Sequence, residues 1–287
     1  MLVALLQGAP ESYQQASVGR VQVLAASRHM ALGIALGEQA DRVAVWPGLG
    51  RQDPGPVRLV VASDGSALGR AGRGQVPSWG VGLAIPGART IVVRADAPDP
   101  YGALRHELAH LALHQAVKVR LPLWFDEGYA VYAAGEFDRM EALRLNLAVV
   151  RGAIGDLRTL DRALRQGEAE AATAYALAGS TVQLLARLHP AGTLDAMVGR
   201  LAAGEPFDSA VVATTGYTVA GFERAWQRDL RRRFGWFVWF AAGGGWFVLA
   251  LLVLAAVRWR RRRDLPRRLA LNEGWTVENE DEDAGAQ

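Results

Sequence analysis

The chain has 287 residues, 51% apolar and 21% charged, which excludes wholesale disorder and leaves length for one medium catalytic domain with appendages or two small ones. It contains no cysteine, so a disulfide framework, thiolate metal sites and cysteine nucleophiles are excluded. The formal charge of +3 invites a nucleic-acid reading, yet residues 1–230 carry 22 basic and 22 acidic side chains and the excess sits in Arg231, Arg232 and Arg233. No nucleic-acid partner is expected from a domain balanced at zero.

In chain order, MLVALLQGAP lacks a basic n-region and its apolar run is short for a signal peptide, so it fits the stub of a longer signal. Residues 1 to about 100 read as short strands broken by Gly and Pro turns, with one early helix. RVQVLAA (20–26) and PVRLVVA (56–62) are β-branched runs, HMALGIALGEQA (29–40) has a helical period, and WPGLGRQDPGP (46–56) reads as a loop. VGLAIPGARTIVVRA (81–95) predicts two strands around a Pro-Gly turn. From 99 onward the pattern turns helical, with starts near Pro100, Pro122 and Glu136, then over 155–164, 168–188 and 218–230. Strands first and helices after argue an α+β domain over residues 1–230, a mixed β-sheet with helices followed by a mainly helical half.

The chemistry is concentrated in the helix YGALRHELAHLALHQA. His106 and His110 stand four residues apart on one helical face, so both imidazoles reach a single ion at about 2.0–2.1 Å. Glu107 is offset around the helix, suited to accept a proton from water instead of binding the metal. LPLWFDEGYAVY supplies the third ligand. Glu127 lies 17 residues after His110, on the helix expected after the turn at Leu121 and Pro122, and completes a His-His-Glu set that leaves a fourth position for water. His114 continues the face of the first helix but lies too far along it to share the ion, and reads as a surface or supporting residue. Ala116 stands where an HExxHxxGxxH pattern needs its last histidine, and His29 and His189 read as structural.

HELAH followed by WFDEGYA resembles the gluzincin branch of the zinc metallopeptidases, and within it the bacterial peptidase MA-like family, whose motif joins HExxH to a tryptophan-rich EGxA segment. The similarity is sharp over residues 102–134 and extends more weakly over about 55–230. It implies a zincin-like fold, bound zinc and peptide-bond hydrolysis, with His106, His110 and Glu127 as ligands and Glu107 as general base. It also implies an edge strand that pairs with an extended substrate, supplied by GVGLAIPG or TIVVRA. Tyr175 is the candidate for polarising the carbonyl oxyanion, with Tyr129 and Tyr132 as competitors. Asp126 is a candidate to hold a ligand imidazole through its second nitrogen. No GxMEN-type segment precedes HELAH, which favours an endopeptidase, and Val131 replaces the aspartate of the thermolysin-like NExxSD pattern.

Beyond the domain, Phe234 to Val257 is a run of 24 residues without a charge. At 1.5 Å per residue it reaches roughly 36 Å as a helix, enough for a bilayer core of about 30 Å. Residues 231–263 therefore read as a C-terminal transmembrane helix with basic flanks, touching the bilayer through 234–257, with Trp236, Trp239 and Trp259 near its ends. The more basic C-terminal flank places the tail in the cytoplasm and the N-terminal catalytic domain outside. Residues 264–287, basic then acidic, read as a disordered tail. The function expected is a membrane-anchored zinc endopeptidase acting on peptide or protein substrates through zinc-activated water. The alternative is a catalytically silent scaffold on the same fold at the membrane.

Overall fold

The computed structural model describes residues 12–53, 55–72, 76, 79–135, 139–152, 154–234 and 245–272. It divides the chain into two compact units, Met1–Phe234 and Gly235–Gln287. The expected signal stub (1–10) lies outside the described residues.

In the first unit, β1 (Tyr13–Val18), β2 (Val21–Ala26), β5 (Val57–Ala62), β6 (Gly82–Ile85) and β7 (Thr90–Arg94) form one sheet in the order β1-β2-β5-β7-β6. β2, β5 and β7 run parallel, and the two edge strands, β1 and β6, pair antiparallel to their neighbours. The mixed sheet expected from the sequence is present. The central strands read as almost continuous apolar runs because both faces are covered. Val23, Val61 and Val93 point into the main core, while Leu24, Val60, Ala62 and Val92 turn to a smaller one closed by Ala67, Leu68 and Ala71 of α2 (Gly65–Ala71). On the main-core face lies α1 (Met30–Ala40), whose Gly33 and Gly37 let its backbone settle on Val23.

The expected loop over 46–56 contains a small hairpin, β3 (Ala44–Trp46) with β4 (Gly50–Gln52). Its turn needs Gly48 at φ 75°, a backbone angle open mainly to glycine. Trp46 at its base is 5% exposed and lies under the Arg105 guanidinium, 5.8 Å from the ring centre.

The HExxH helix is α3 (Pro100–Ala116). The Asp99 side chain caps it by accepting from the Gly102 N–H at 2.9 Å, and Pro100 fits the first turn, where a missing N–H costs nothing. Val117 leaves the helix in extended conformation, and α4 (Leu123–Ala134) starts after Pro122 and stops at Gly135, φ 75°. Then follow α5 (Arg139–Val150), α6 (Leu157–Ala163), α7 (Glu168–Leu188), α8 (Asp195–Ala202), α9 (Phe207–Thr215) and α10 (Val219–Phe234). Residue 136, the expected start of α5, lies outside the described residues. α8 and α9 were not expected. Trp124 and Phe125 of α4, Phe207 of α9 and Phe222 of α10 pack ring to ring at centroid separations of 5.1–6.0 Å, and Trp226 donates through Nε1 to Ser180 Oγ of α7 at 2.9 Å.

The second unit corrects the expected architecture. Among the described residues its helix, α11, runs Gly245–Asn272, and 13 of these, Gly245–Val257, precede the first arginine at Arg258. That apolar part is about 20 Å long, short of the roughly 30 Å of a hydrocarbon core. Among the described residues no helix is long and apolar enough to cross a membrane. The C-terminal transmembrane helix is therefore not supported. The single-pass topology that rested on it, with the domain outside and the tail in the cytoplasm, is not supported either. Residues 235–244 of the expected span and 273–287 of the expected disordered tail lie outside the described residues, while 264–272 continue α11.

One contact governs where α4 lies. A Cβ on Gly128 would fall 2.3 Å from the Ala178 carbonyl oxygen and 2.7 Å from its carbon, so α4 approaches the backbone of α7 at a distance only glycine permits. Gly128→Ala is expected to lower stability by about 1–3 kcal/mol through overpacking against a backbone that cannot rotate away, despite a helix-propensity gain of about 1 kcal/mol. Urea unfolding measures it, and a variant as stable as the wild type would refute the contact.

Candidate metal centre

α3 and α4 bring the predicted ligands together. His106 Nε2 and His110 Nε2 are 3.2 Å apart, and Glu127 Oε2 lies 3.4 Å from each. Four ligands placed tetrahedrally at about 2.0–2.1 Å from a zinc ion are separated by about 3.3–3.4 Å. The three donor atoms thus form the triangle that such an ion requires, with a fourth direction left over. The donor set, two imidazole nitrogens and a carboxylate oxygen, is chemically suited to zinc. His106 and His110 have side chains 14% and 12% exposed, and Glu127 18%, so the centre is recessed but reachable.

Asp126 decides which nitrogen of His110 is turned to Glu127 and His106. Its Oδ1 is 2.8 Å from His110 Nδ1, and its Oδ2 is 2.8 Å from His114 Nε2. A carboxylate only accepts, so His110 donates to it through Nδ1, which leaves Nε2 as the nitrogen turned to Glu127 and His106 and the one whose lone pair would face a metal once its proton is lost. His114 donates to the other oxygen and steadies Asp126 from the far side. This arrangement answers the absence of an acid at Val131, which is buried at 2% exposure. The holding carboxylate comes instead from the residue just before the ligand, and His114 is its second anchor.

The charges at the centre are mutually compensated. Burial alone would raise the Glu127 carboxyl, but the His110 charge and hydrogen bonds from His106 and His110 outweigh it and hold the group at about 2. Burial alone would likewise lower the His110 imidazole. The charges and hydrogen bonds of Glu127 and Asp126 instead push it well above the ordinary value. Asp126 is held well below the carboxylate range, since hydrogen bonds from His110 and His114 overcome its burial. Glu107 differs. It is 8% exposed, and burial raises its carboxyl more than the neighbouring histidines lower it.

The tyrosines separate as well. Tyr129 is fully buried, donates its hydroxyl to Pro47 O at 2.9 Å and has its ionisation pushed up by burial. It ties α4 to the β3–β4 turn and is spent on structure. Tyr175 of α7 lies beside the centre, its ring 6.0 Å from that of His106 and edge-on to Trp79 at 6.5 Å. Tyr132 packs against the main core. His29 accepts from Arg28 and His189 from the Ala191 N–H, and neither joins the centre.

Of the two candidate strands, β7 is paired on both sides, with β5 and β6, whereas β6 is the sheet edge. Of these two strands, β6 is the one whose outer side is unpaired with another strand among the described residues. Sequence reasoning missed the part that Gly82 plays there: its missing side chain makes room for Glu107. The signal available was a glycine inside a strand, which marks a close approach.

Removal of the Asp126 carboxylate should release His110. Asp126→Ala is expected to weaken zinc binding about 10- to 100-fold, and His114→Ala by less, since the Asp126–His110 bond survives. Chelator competition reads both, and equal losses would sink the assigned order.

Over residues 49–232 the chain matches the sequence model of the Peptidase MA superfamily. No curated protein matches the chain. The matched stretch is more than half of the molecule and contains β6, the HExxH helix, Glu127 and Tyr175; the chain belongs to the Peptidase MA superfamily.

Proposed function

We propose that the protein is a zinc-dependent metallopeptidase of the gluzincin type that cleaves internal peptide bonds, with His106, His110 and Glu127 as ligands and Glu107 as general base. The observation that carries this reading is the donor triangle of 3.2, 3.4 and 3.4 Å with Asp126 fixing the tautomer of one ligand. A zinc ion held there would act as a Lewis acid toward the substrate carbonyl and a water molecule.

The chain's own groups supply the rest. Glu107 is next to the ligand His106 in sequence but is turned toward β6, and its raised proton affinity suits a group that must take a proton and return it. It accepts the proton of the attacking water as the water oxygen bonds to the carbonyl carbon. It then delivers that proton to the amide nitrogen as the C–N bond breaks, so the products are a carboxylate and an amine. Tyr175, beside His106, is assigned to donate to the carbonyl oxygen as negative charge develops on it. β6 holds the substrate in extended form by added-strand pairing. Its sequence, GLAI, offers no carboxylate to anchor a free amino group, which supports cleavage within chains over trimming of their ends.

The test uses the full chain, zinc analysis, and cleavage of casein and a peptide library. Wild type and Glu107→Gln should each bind about one zinc, with cleavage reduced about 10²- to 10⁴-fold in the variant. Metal without any cleavage by the wild type would favour a silent scaffold. Glu127→Ala should lose zinc, and an unchanged affinity would show that another group is the third ligand. Tyr175→Phe should keep zinc and lose kcat on the order of 10²-fold; full activity would remove it from the mechanism.

A further inference from the structure

The helix that carries Asp126 and Glu127 has no cap of its own. α4 has Pro122 at its N-cap, a residue without a side-chain acceptor for the first turn, where Ser, Thr, Asp or Asn usually serves. The N–H groups of Phe125 and Asp126 both turn back to Pro122 O at 3.1 Å. That of Trp124 is met from elsewhere, donating to Asp161 Oδ1 at 2.7 Å. Asp161 lies on α6, 37 residues further along the chain. The cap is therefore supplied by a tertiary contact, and its negative charge sits at the positive end of the helix.

α6 is itself held in place. Asp156 caps it by accepting from the Thr159 N–H at 2.6 Å, and Leu157 and Leu160 are buried in the main core. α10 grips the same end, since Glu223 Oε2 accepts from the Leu157 N–H at 3.1 Å and Gln227 Nε2 donates to Gly155 O at 3.0 Å. One residue before Glu223, Phe222 stacks on the Trp124 ring with centroids 6.0 Å apart. α4, α6 and α10 thus meet at Trp124, through its backbone and through its ring. Asp126 is two residues beyond Trp124 and Glu127 three, so both carboxylates leave α4 within the turn that Asp161 closes.

Resting on the zinc ligand set of the reading above, we propose that Asp161 is a positioning residue for the metal centre, which caps α4 from α6 and so holds Asp126 against His110 and Glu127 opposite the two histidines before a metal arrives. Without that cap the first turn of α4 frays, and an ion must restore the turn as it binds. A cap is worth roughly a factor of ten in the equilibrium between the formed and the frayed turn. That factor enters the apparent Kd because the formed turn is the state that presents both carboxylates. A contact that merely stabilised the fold would lower resistance to urea and leave the zinc affinity of the folded chain unchanged.

Zinc affinity of the full chain, read by chelator competition, tests this. Asp161→Ala should raise the Kd about tenfold, and Asp161→Ser should do the same, because its hydroxyl is one bond too short to reach Trp124. Asp161→Asn keeps a carbonyl oxygen at the same place and should stay within about threefold of the wild type. In the zinc-free chain, amide hydrogen exchange at Asp126 should be about tenfold faster in Asp161→Ala and Asp161→Ser than in the wild type, with Leu111 in α3 slow in all of them as the sign of an intact fold. An unchanged Kd in either folded variant overturns the proposal, and so does a loss in Asp161→Asn as large as that in Asp161→Ala. Equal exchange at Asp126 with Leu111 slow overturns it as well. In each of these cases the ligand set and the peptidase reading stand. If the wild type binds no zinc, the ligand set falls and takes the proposal with it.

Discussion

The absent side chain of Gly128 sets the geometry of everything around the centre. Because α4 lies against the carbonyl of Ala178, its first turns project Asp126 and Glu127 toward α3 instead of toward solvent. The same contact brings α7, and with it Tyr175, over His106. Three elements distant in sequence are thereby registered by one backbone approach. The rest of the packing resists its relaxation: Trp124 and Phe125 are wedged among Phe207 and Phe222, and Arg105 of α3 donates to Ala133 O at the far end of α4. Held at both ends, α4 cannot slide to improve one contact without losing another.

Electrostatics explains why such a recessed set of ionisable groups is tolerated. An isolated buried carboxylate or imidazolium is costly, and the cost is offset only by partners with good geometry. Here Glu127 and Asp126 face His106, His110 and His114, so each charge has an opposite one within hydrogen-bond or ion-pair reach. Glu107 is the exception: among the described residues it has no ion pair of its own, and the field of His106 and His110 only partly offsets its burial. A group that is well paired is a poor proton acceptor, and a group left under-compensated by burial is a better one. Glu127 and Glu107, both glutamates, are thus distinguished by their surroundings, as the proposed roles of ligand and base require.

Much of this was legible from particular residues. The i, i+4 spacing of His106 and His110 forces their rings to one face, and the short connection through Pro122 forces the next helix to return, so the pairing with Glu127 follows from local geometry. β-branched runs located β2, β5 and β7. What escaped depends on tertiary context. α8 and α9 are stabilised by packing and carry weak periodic signals in short segments. The β3–β4 hairpin hides in a stretch rich in Gly and Pro, where only the burial of Trp46 justifies the strands. The choice among Tyr129, Tyr132 and Tyr175 required knowing that Pro47 lies over Tyr129. The apolar run at 234–257 misled for a different reason. Summed hydropathy counts every residue of the run, whereas the part of it described as helix, Gly245–Val257, is too short to cross a bilayer core.

The sheet edge carries a conflict of roles that its sequence resolves. An exposed edge invites unwanted pairing, and proteins usually blunt it with charge, proline or a covering element. β6 is short and ends at Pro86, which limits the ladder to a few residues. Its inward-facing positions are Gly82 and Ala84, the smallest residues available, so α3 can bring Glu107 up beneath the strand. Larger residues there would keep the edge but push the carboxylate away from the strand, and a charged residue would protect the edge but set a second charge beside the buried Glu107. Small side chains at these two positions therefore keep the edge and make room for Glu107 at once.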